Sequence, residues 1–287
     1  MASHSIANNK NTAIPTWVPE AQRANLSRYA TWQKFHHGVR GRPGSLLSGL
    51  PRYANCVLVA GCQRSGTTML TRLIASAPGF TRLALTADDE LDAALALAGL
   101  IELPPESRYC FQTTYLNERY EDYRALGPGQ RLIWVLRNPY SVIYSMLYNW
   151  QRFGLNELYE GCGVAHAAAP RLRRAGLIWP LGPSRLEKAC LAYRGKVAQI
   201  RSIREMLSPE QLLTVDYDLL VNAPEHWLPR IFAFAGAPYE ASYAQLVRRA
   251  PAGKAQRLTA RARRLIEQLA LPTYLDCRKL ADGYPSV

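Results

Sequence analysis

Between Cys56 and Ser76 the chain passes from an unbroken apolar run, through a polar glycine loop, to apolar residues at helical spacing. The run Cys56-Val57-Leu58-Val59-Ala60, ending at Gly61, has the pattern of a parallel strand buried on both faces. Beyond the loop, Met69, Leu70, Leu73 and Ile74 recur at helical spacing, and Pro78-Gly79 stops the pattern. A strand that feeds a glycine loop and then a helix aims backbone N–H groups at one point. The helix N-terminus adds partial positive charge, so the place suits a phosphate. In Gly61-Cys62-Gln63-Arg64-Ser65-Gly66-Thr67-Thr68, Gly66 permits close backbone approach, Thr67 and Thr68 offer hydroxyls, and Arg64 supplies a fixed cation. Gly61 and Gly66 keep the glycine spacing of a Walker A loop, but Thr67 stands where that loop carries its lysine.

The motif is set in a wider α/β pattern. A second buried strand is predicted at Leu132–Leu136, followed by Arg137-Asn138-Pro139 and a helix over Tyr140–Trp150. A third strand is predicted at Leu212–Val215, with a helix over Ala223–Ala235 after it. Short buried strands separated by helices predict a single domain with a mainly parallel central sheet flanked by helices. Residues 1–52 read as an N-terminal extension, with a short helix and a loop packing on the core, and 53–287 as the main domain. The Gly-, Ala- and Pro-rich stretch 151–183 predicts an irregular lid or insertion.

Composition narrows the class. A chain of 287 residues, 48% hydrophobic, can bury a substantial core. A net charge of +13 favours anionic partners. The apolar stretch Leu91–Ile101 contains Asp92 and is too short to span a bilayer, and Met1–Lys10 lacks the apolar core of a signal peptide. Six scattered cysteines, with no Cys-x-x-Cys pair, read as reduced thiols. The expectation is a soluble, cytoplasmic protein with no membrane partner.

Arg64-Ser65-Gly66-Thr67-Thr68, directly after a buried strand, resembles the 5′-phosphosulfate loop of the PAPS-dependent sulfotransferases, where PAPS is 3′-phosphoadenosine-5′-phosphosulfate. That family also has a strand ending in Arg, with a Ser eight residues on, for the 3′-phosphate; Arg137 and Ser145 stand at that spacing. Pro139 suits the first turn of a helix, and an arginine at the C-terminal end of a strand sits where open α/β sheets bind ligands. Val215 to Pro224 resembles a third family segment, which implies that Tyr217 lies near the adenine; Asp218 and Leu219 depart from the pattern. The basic segment that closes over the 3′-phosphate has its counterpart at Gly253-Lys254. The resemblance spans roughly residues 55–250 and implies a P-loop NTPase-like sulfotransferase fold. It also implies sulfuryl transfer from PAPS to a hydroxyl or amine of a small-molecule or glycan acceptor. Adenosine 3′,5′-bisphosphate (PAP) would be released, and no metal would be required.

Such a transfer needs leaving-group stabilisation, implied at Arg64, and a base for the acceptor. The family's glutamate-type base falls near Thr86-Ala87-Asp88-Asp89-Glu90, where Glu90 and Asp89 are favoured. The same acids would also suit the cap and first turn of a following helix. His36, His37, His166 and His226 are further candidates, with His226 read as structural. Many relatives carry a lysine where Gln112 stands, and an amide cannot supply its charge. Acceptor contacts are expected from the aromatic-rich stretch Tyr140, Tyr144, Tyr148, Trp150, Phe153 and Tyr159, within which Tyr140, Tyr144 and Tyr148 form a helical stripe that also reads as core packing. Two rivals fare worse. A nucleotide kinase-like P-loop protein needs the missing lysine and a Walker B acid. A basic nucleic-acid-binding protein would carry a recognisable motif or basic residues interleaved with aromatics.

Overall fold

The computed structural model describes residues 18–39, 44–83, 85–167, 182–247 and 255–283. Four strands form one sheet in the order β2-β1-β3-β4: β1 (Val57–Gly61), β2 (Cys110–Gln112), β3 (Arg131–Leu136) and β4 (Leu212–Asp216). All three pairings are parallel. Three of these strands follow from the apolar runs. The fourth, β2, was not anticipated, because a strand of three residues is too short to raise a pattern of its own.

The sheet is covered on both faces, which is why its strands carry apolar residues at consecutive positions. Alternate side chains divide between two cores. Leu58, Ala60, Leu132, Trp134 and Leu136 face the larger cluster, whereas Val57, Val59, Ile133, Val135 and Val215 face the smaller. The smaller is closed by α3 (Thr67–Ile74), α8 (Tyr217–Asn222), α9 (Pro224–Ala235) and α10 (Ser242–Leu246). The larger takes buried residues of α1 (Glu20–Arg28), α2 (Trp32–Val39), α4 (Asp89–Leu97) and α5 (Pro139–Tyr148). It also takes those of α6 (Arg152–Leu158), α7 (Arg185–Met206), α11 (Ala260–Leu269) and α12 (Leu271–Arg278). The result is a three-layer α/β/α arrangement.

Two expectations need correction. The N-terminal segment holds two helices rather than one, and they bury Leu26, Tyr29, Phe35 and Val39 in the larger core. The stretch expected to be irregular from 151 begins with α6, a π-helical turn (Tyr159–Gly163) and a 3-10 turn (Val164–His166). Glycines on both sides allow it to pack on α7: a Cβ on Gly163 would lie 2.9 Å from the Ala192 backbone nitrogen, and one on Gly195 of α7 would lie 1.7 Å from the Cys162 carbonyl oxygen.

Register fixes what stands together at one edge. Gly61 pairs with Val135, and Leu136 pairs with Asp216. The residues that follow, Cys62 to Gly66, Arg137 and Tyr217, therefore emerge side by side from the C-terminal ends of three adjacent strands, the edge at which open α/β sheets bind ligands. All six cysteines are buried, and none of them forms a disulfide. Among the described residues, no helix is long and apolar enough to cross a membrane.

Candidate active site

The loop after β1 is tightly wound. Gly61 and Gly66 have φ of 138° and 98°, and Arg64, at 73°, is the one non-glycine with positive φ among the described residues. Holding an arginine in this region costs about 1–3 kcal/mol and turns its side chain into the cleft. Gly66 is needed for space as well as for φ, because a Cβ there would stand 2.1 Å from the Tyr217 ring. Gln63 pins the loop from the other side, donating to the Thr114 carbonyl and to Asn117 Oδ1, both at 2.9 Å.

Arg137 meets this loop directly. It is buried, donates from Nη1 to the Arg64 carbonyl at 3.3 Å, and stacks its guanidinium 4.4 Å from the centre of the Tyr217 ring. Ser145, one face of α5 further on, accepts from Arg64 Nε at 2.9 Å. Partial burial and the nearby Arg137 charge both lower the affinity of the Arg64 guanidinium for its proton, while Glu90 raises it. Two guanidiniums thus share one pocket. Among the described residues, Arg137 Nε and the fully buried Ser65 Oγ have no hydrogen-bond partner. Buried donors without partners are costly, and a bound anion would satisfy them.

The loop that carries Arg137 is locked to the end of β4. Asp218 accepts from the Asn138 backbone N–H at 2.9 Å and from Asn138 Nδ2 at 2.8 Å, while Asn138 Oδ1 caps α5 through the Ser141 N–H. The Arg137 carbonyl accepts from the Tyr193 hydroxyl at 2.6 Å. The buried Asp216 caps α8 and also accepts from Tyr274 and Arg278. The departure at Asp218 noted in the sequence therefore has a structural role, joining two loops that both border the cleft.

The three consecutive acids before α4 part company. Asp88 is the N-cap, accepting from the backbone N–H groups of Glu90 and Leu91, and it also takes the Trp32 indole N–H at 2.9 Å. Asp89 turns to the far side and forms a two-point ion pair with Arg72, at 2.8 and 2.9 Å. Burial pushes its carboxyl up, but the bonds and charge of Arg72 outweigh that and leave it below the usual range. Glu90 faces the cleft. It accepts from Gln112 Nε2 at 2.6 Å, from the Thr114 N–H at 3.1 Å and from the Thr114 hydroxyl. Those donors favour the charged form, yet desolvation wins with help from the Asp88 charge, and the carboxyl is pushed up to about 7.

These groups line one cleft of about 620 Å³, together with Gly66, Thr67 and Thr68. Its other boundary includes apolar side chains: Trp32, Phe35 and Leu46 from the N-terminal segment, with Tyr115, Trp150 and Phe153. A smaller chamber of about 260 Å³ lies behind the partition of Glu90 and Gln112, and Asp89 borders that chamber and not the main cleft. Among the described residues there is no group of three or more His, Cys, Asp or Glu that could hold a metal ion.

The residues singled out in the sequence can now be located. Arg64, Ser65, Gly66, Thr67, Thr68, Arg137, Ser145, Tyr217 and Glu90 stand around the loop and its cleft, while Asp89 does not border the cleft. Lys254 lies outside the described residues. Of the histidines, His36 borders the cleft and pairs with Glu157 at 2.5 Å; His37 and His226 are exposed, and His226 packs edge-on against Trp227 of α9. Trp150 and Phe153 border the cleft, whereas the tyrosine stripe of α5 does not: Tyr148 is exposed, and Tyr140 donates to Glu267. Sequence reasoning missed Gln112 and Thr114 as partners of Glu90, and Trp32 and Phe35 as its neighbours across the cleft. The apolar Tyr109-Cys110-Phe111 was the available signal for the first pair, since reading it as a strand puts both residues at a strand's C-terminal end.

The family model described as "Sulfotransferase family" matches residues 90–241, more than half of the 287-residue chain, and the protein belongs to that family. Among solved structures, the chain is similar to mouse sulfotransferase SULT7A1 complexed with PAP, at 16% identity and a TM-score of 0.48, covering 84% of this chain and 94% of that one. It is also similar to sulfotransferase STF9 from Mycobacterium avium, at 14% identity and a TM-score of 0.47, covering 91% and 81%. A sulfotransferase domain from the curacin biosynthetic pathway matches at 14% identity and a TM-score of 0.46, covering 80% and 92%. No curated protein matches the sequence.

Proposed function

We propose that this sulfotransferase takes its sulfuryl group from PAPS, passes it to a hydroxyl or amine of an acceptor, and releases PAP. The observation that carries the reading is the paired guanidinium site: Arg64 and Arg137 converge beside Ser145, with Arg137 Nε and Ser65 Oγ buried and without a partner among the described residues. A donor with phosphate groups on two arms of one nucleotide fits such a site. In this reading the loop N–H groups, Ser65, Gly66, Thr67 and Thr68 hold the 5′-phosphosulfate. Arg137 and Ser145 hold the 3′-phosphate, Tyr217 borders the adenine, and Lys254 closes over the nucleotide.

The reaction is an in-line displacement. The acceptor oxygen or nitrogen forms a bond to sulfur as the bond between sulfur and the bridging phosphate oxygen breaks. Negative charge grows on that oxygen, where Arg64 offsets it. Glu90 takes the acceptor's proton. Its carboxyl, pushed up to about 7, can accept a proton near neutral pH, whereas Asp89 is held below the usual range by Arg72. Binding, orientation and charge stabilisation then supply most of the acceleration, as in phosphoryl transfer.

The test is incubation with PAPS and a panel of phenols, aliphatic alcohols, amines and carbohydrates, read by the mass gained by the acceptor and by PAP released. Sulfated product in stoichiometric step with PAP supports the reading. Hydrolysis of ATP with magnesium, and indifference to PAPS, would oppose it.

A further inference from the structure

Resting on the sulfotransferase reading above, we infer that Gln63 is a positioning residue for proton transfer: through its side-chain amide, the loop that holds the donor also holds the residue that orients Glu90. Gln63 stands directly before Arg64 in the loop after β1. It directs its amide at the turn beyond β2, donating from Nε2 to the Thr114 carbonyl and to Asn117 Oδ1, each at 2.9 Å. Thr114 is the residue that gives Glu90 its backbone N–H, at 3.1 Å, and its hydroxyl. One residue is thus gripped at its carbonyl by the donor loop and gives its N–H and hydroxyl to the base.

The amide is committed to this task. Its two hydrogens go to two acceptors, which fixes its plane, and Oε1 is buried with no hydrogen-bond partner among the described residues. An unpaired buried carbonyl is destabilising, so an apolar side chain of the same size would serve better if Gln63 only filled space. The turn is held on its other sides as well. The Thr113 N–H is donated to the Val59 carbonyl, and the Thr113 hydroxyl meets that of Tyr123, both at 2.9 Å. Lys196 and Gln199 of α7 donate to the carbonyls of Leu116 and Asn117, at 3.3 and 2.6 Å. These ties flank Thr114, whose own carbonyl takes its bond from Gln63. Freed at that carbonyl, Thr114 can turn about its Cα, and its N–H and hydroxyl lose their aim at Glu90.

The consequence has a sign. The bonds from Thr114 favour the charged carboxylate, against the burial that pushes the carboxyl up to about 7. Loosening Thr114 must push it further up, which leaves less of the base ready near neutral pH. The other charged and titratable groups that bear on Glu90 are Asp88 at the cap, Arg64, Lys196, and the phenols of Tyr115 and Tyr123. A change confined to the uncharged Gln63 alters none of them.

The experiment reads Glu90 itself. Protein with isotope-labelled glutamate carboxyls is saturated with PAP and titrated with acid and base by NMR, and Glu90→Gln assigns the signal. Gln63→Met keeps the length of the side chain and removes both donors. Its Glu90 midpoint should lie at least about half a pH unit above that of the unaltered protein. Thr114→Val, which loses the hydroxyl, should move the midpoint the same way, and the two changes together should move it by less than their sum. Asn117→Ala removes one of the two acceptors of the Gln63 amide; it should also move the midpoint upward, and it decides the matter if Gln63→Met does not fold. A role confined to bracing the donor loop would weaken PAP and leave the midpoint in place. A Glu90 midpoint unmoved in Gln63→Met, or in Asn117→Ala where that variant decides, overturns the inference and leaves the donor reading intact. Failure of PAP itself to bind would instead remove the reading on which the inference rests.

Discussion

The two sides of the cleft are built in different ways. The side with Arg64 and Arg137 comes from short contiguous segments at the ends of neighbouring strands, and strand register alone brings them together. The side with Glu90 is assembled from four distant pieces: α2, the start of α4, the residues after β2, and α6. A site made by register depends on the sheet, and its residues recur as motifs. A site made by packing depends on helices that can be exchanged while the sheet stays the same. The first should therefore govern the donor, and the second the choice of acceptor.

The largest expected effect breaks the first side. Arg64→Ala should lower kcat by about two to three orders of magnitude, the cost of one lost donor at a developing oxyanion, while acceptor affinity is preserved. Steady-state kinetics with both substrates varied checks this, and wild-type turnover would contradict it.

Glu90→Gln should lower kcat by about a hundredfold with PAP affinity intact. The pH profile sharpens the assignment. Glu90 must be deprotonated to accept a proton, and its carboxyl is pushed up to about 7, so wild-type turnover should rise with pH through that value and level above it. In the Gln variant the rising limb should vanish. A wild-type rate that is flat from about two pH units below that value to about one unit above it would place the base elsewhere.

Arg137→Lys keeps the charge but loses the planar fork and the stack on Tyr217, and should weaken PAP about tenfold, read by titration calorimetry. The smallest effect belongs to Asp89→Asn. With its carboxylate committed to Arg72 on the far side of the partition, kcat should change by less than about threefold. A loss as large as that of Glu90→Gln would mean that the two carboxylates exchange roles.

The same contrast explains what could be read from the sequence. β1, its loop, β3 and Arg137 are each visible as a few consecutive residues whose chemistry is complete locally, and the parallel sheet follows from them. Glu90 could not be separated from Asp88 and Asp89 in that way. Their difference is one of helix phase, set by which acid becomes the cap and by an arginine at position 72. The strand β2 was hidden by its length, and with it the reason that Gln112 and Thr114 matter: they are the donors that orient Glu90. The cluster of the Trp32, Phe35 and Tyr115 rings joins residues more than eighty positions apart in their extremes, a contact that no local pattern encodes.

The central claim is that paired arginines recognise a nucleotide carrying phosphates on both its arms. The direct test is calorimetric titration of the protein with PAP and, separately, with adenosine 5′-phosphate, which lacks the 3′-phosphate. The account predicts one PAP per chain, bound about a hundredfold more tightly than adenosine 5′-phosphate, with that preference abolished in Arg137→Ala. Equal affinity for the two nucleotides, or no binding of PAP, would contradict it.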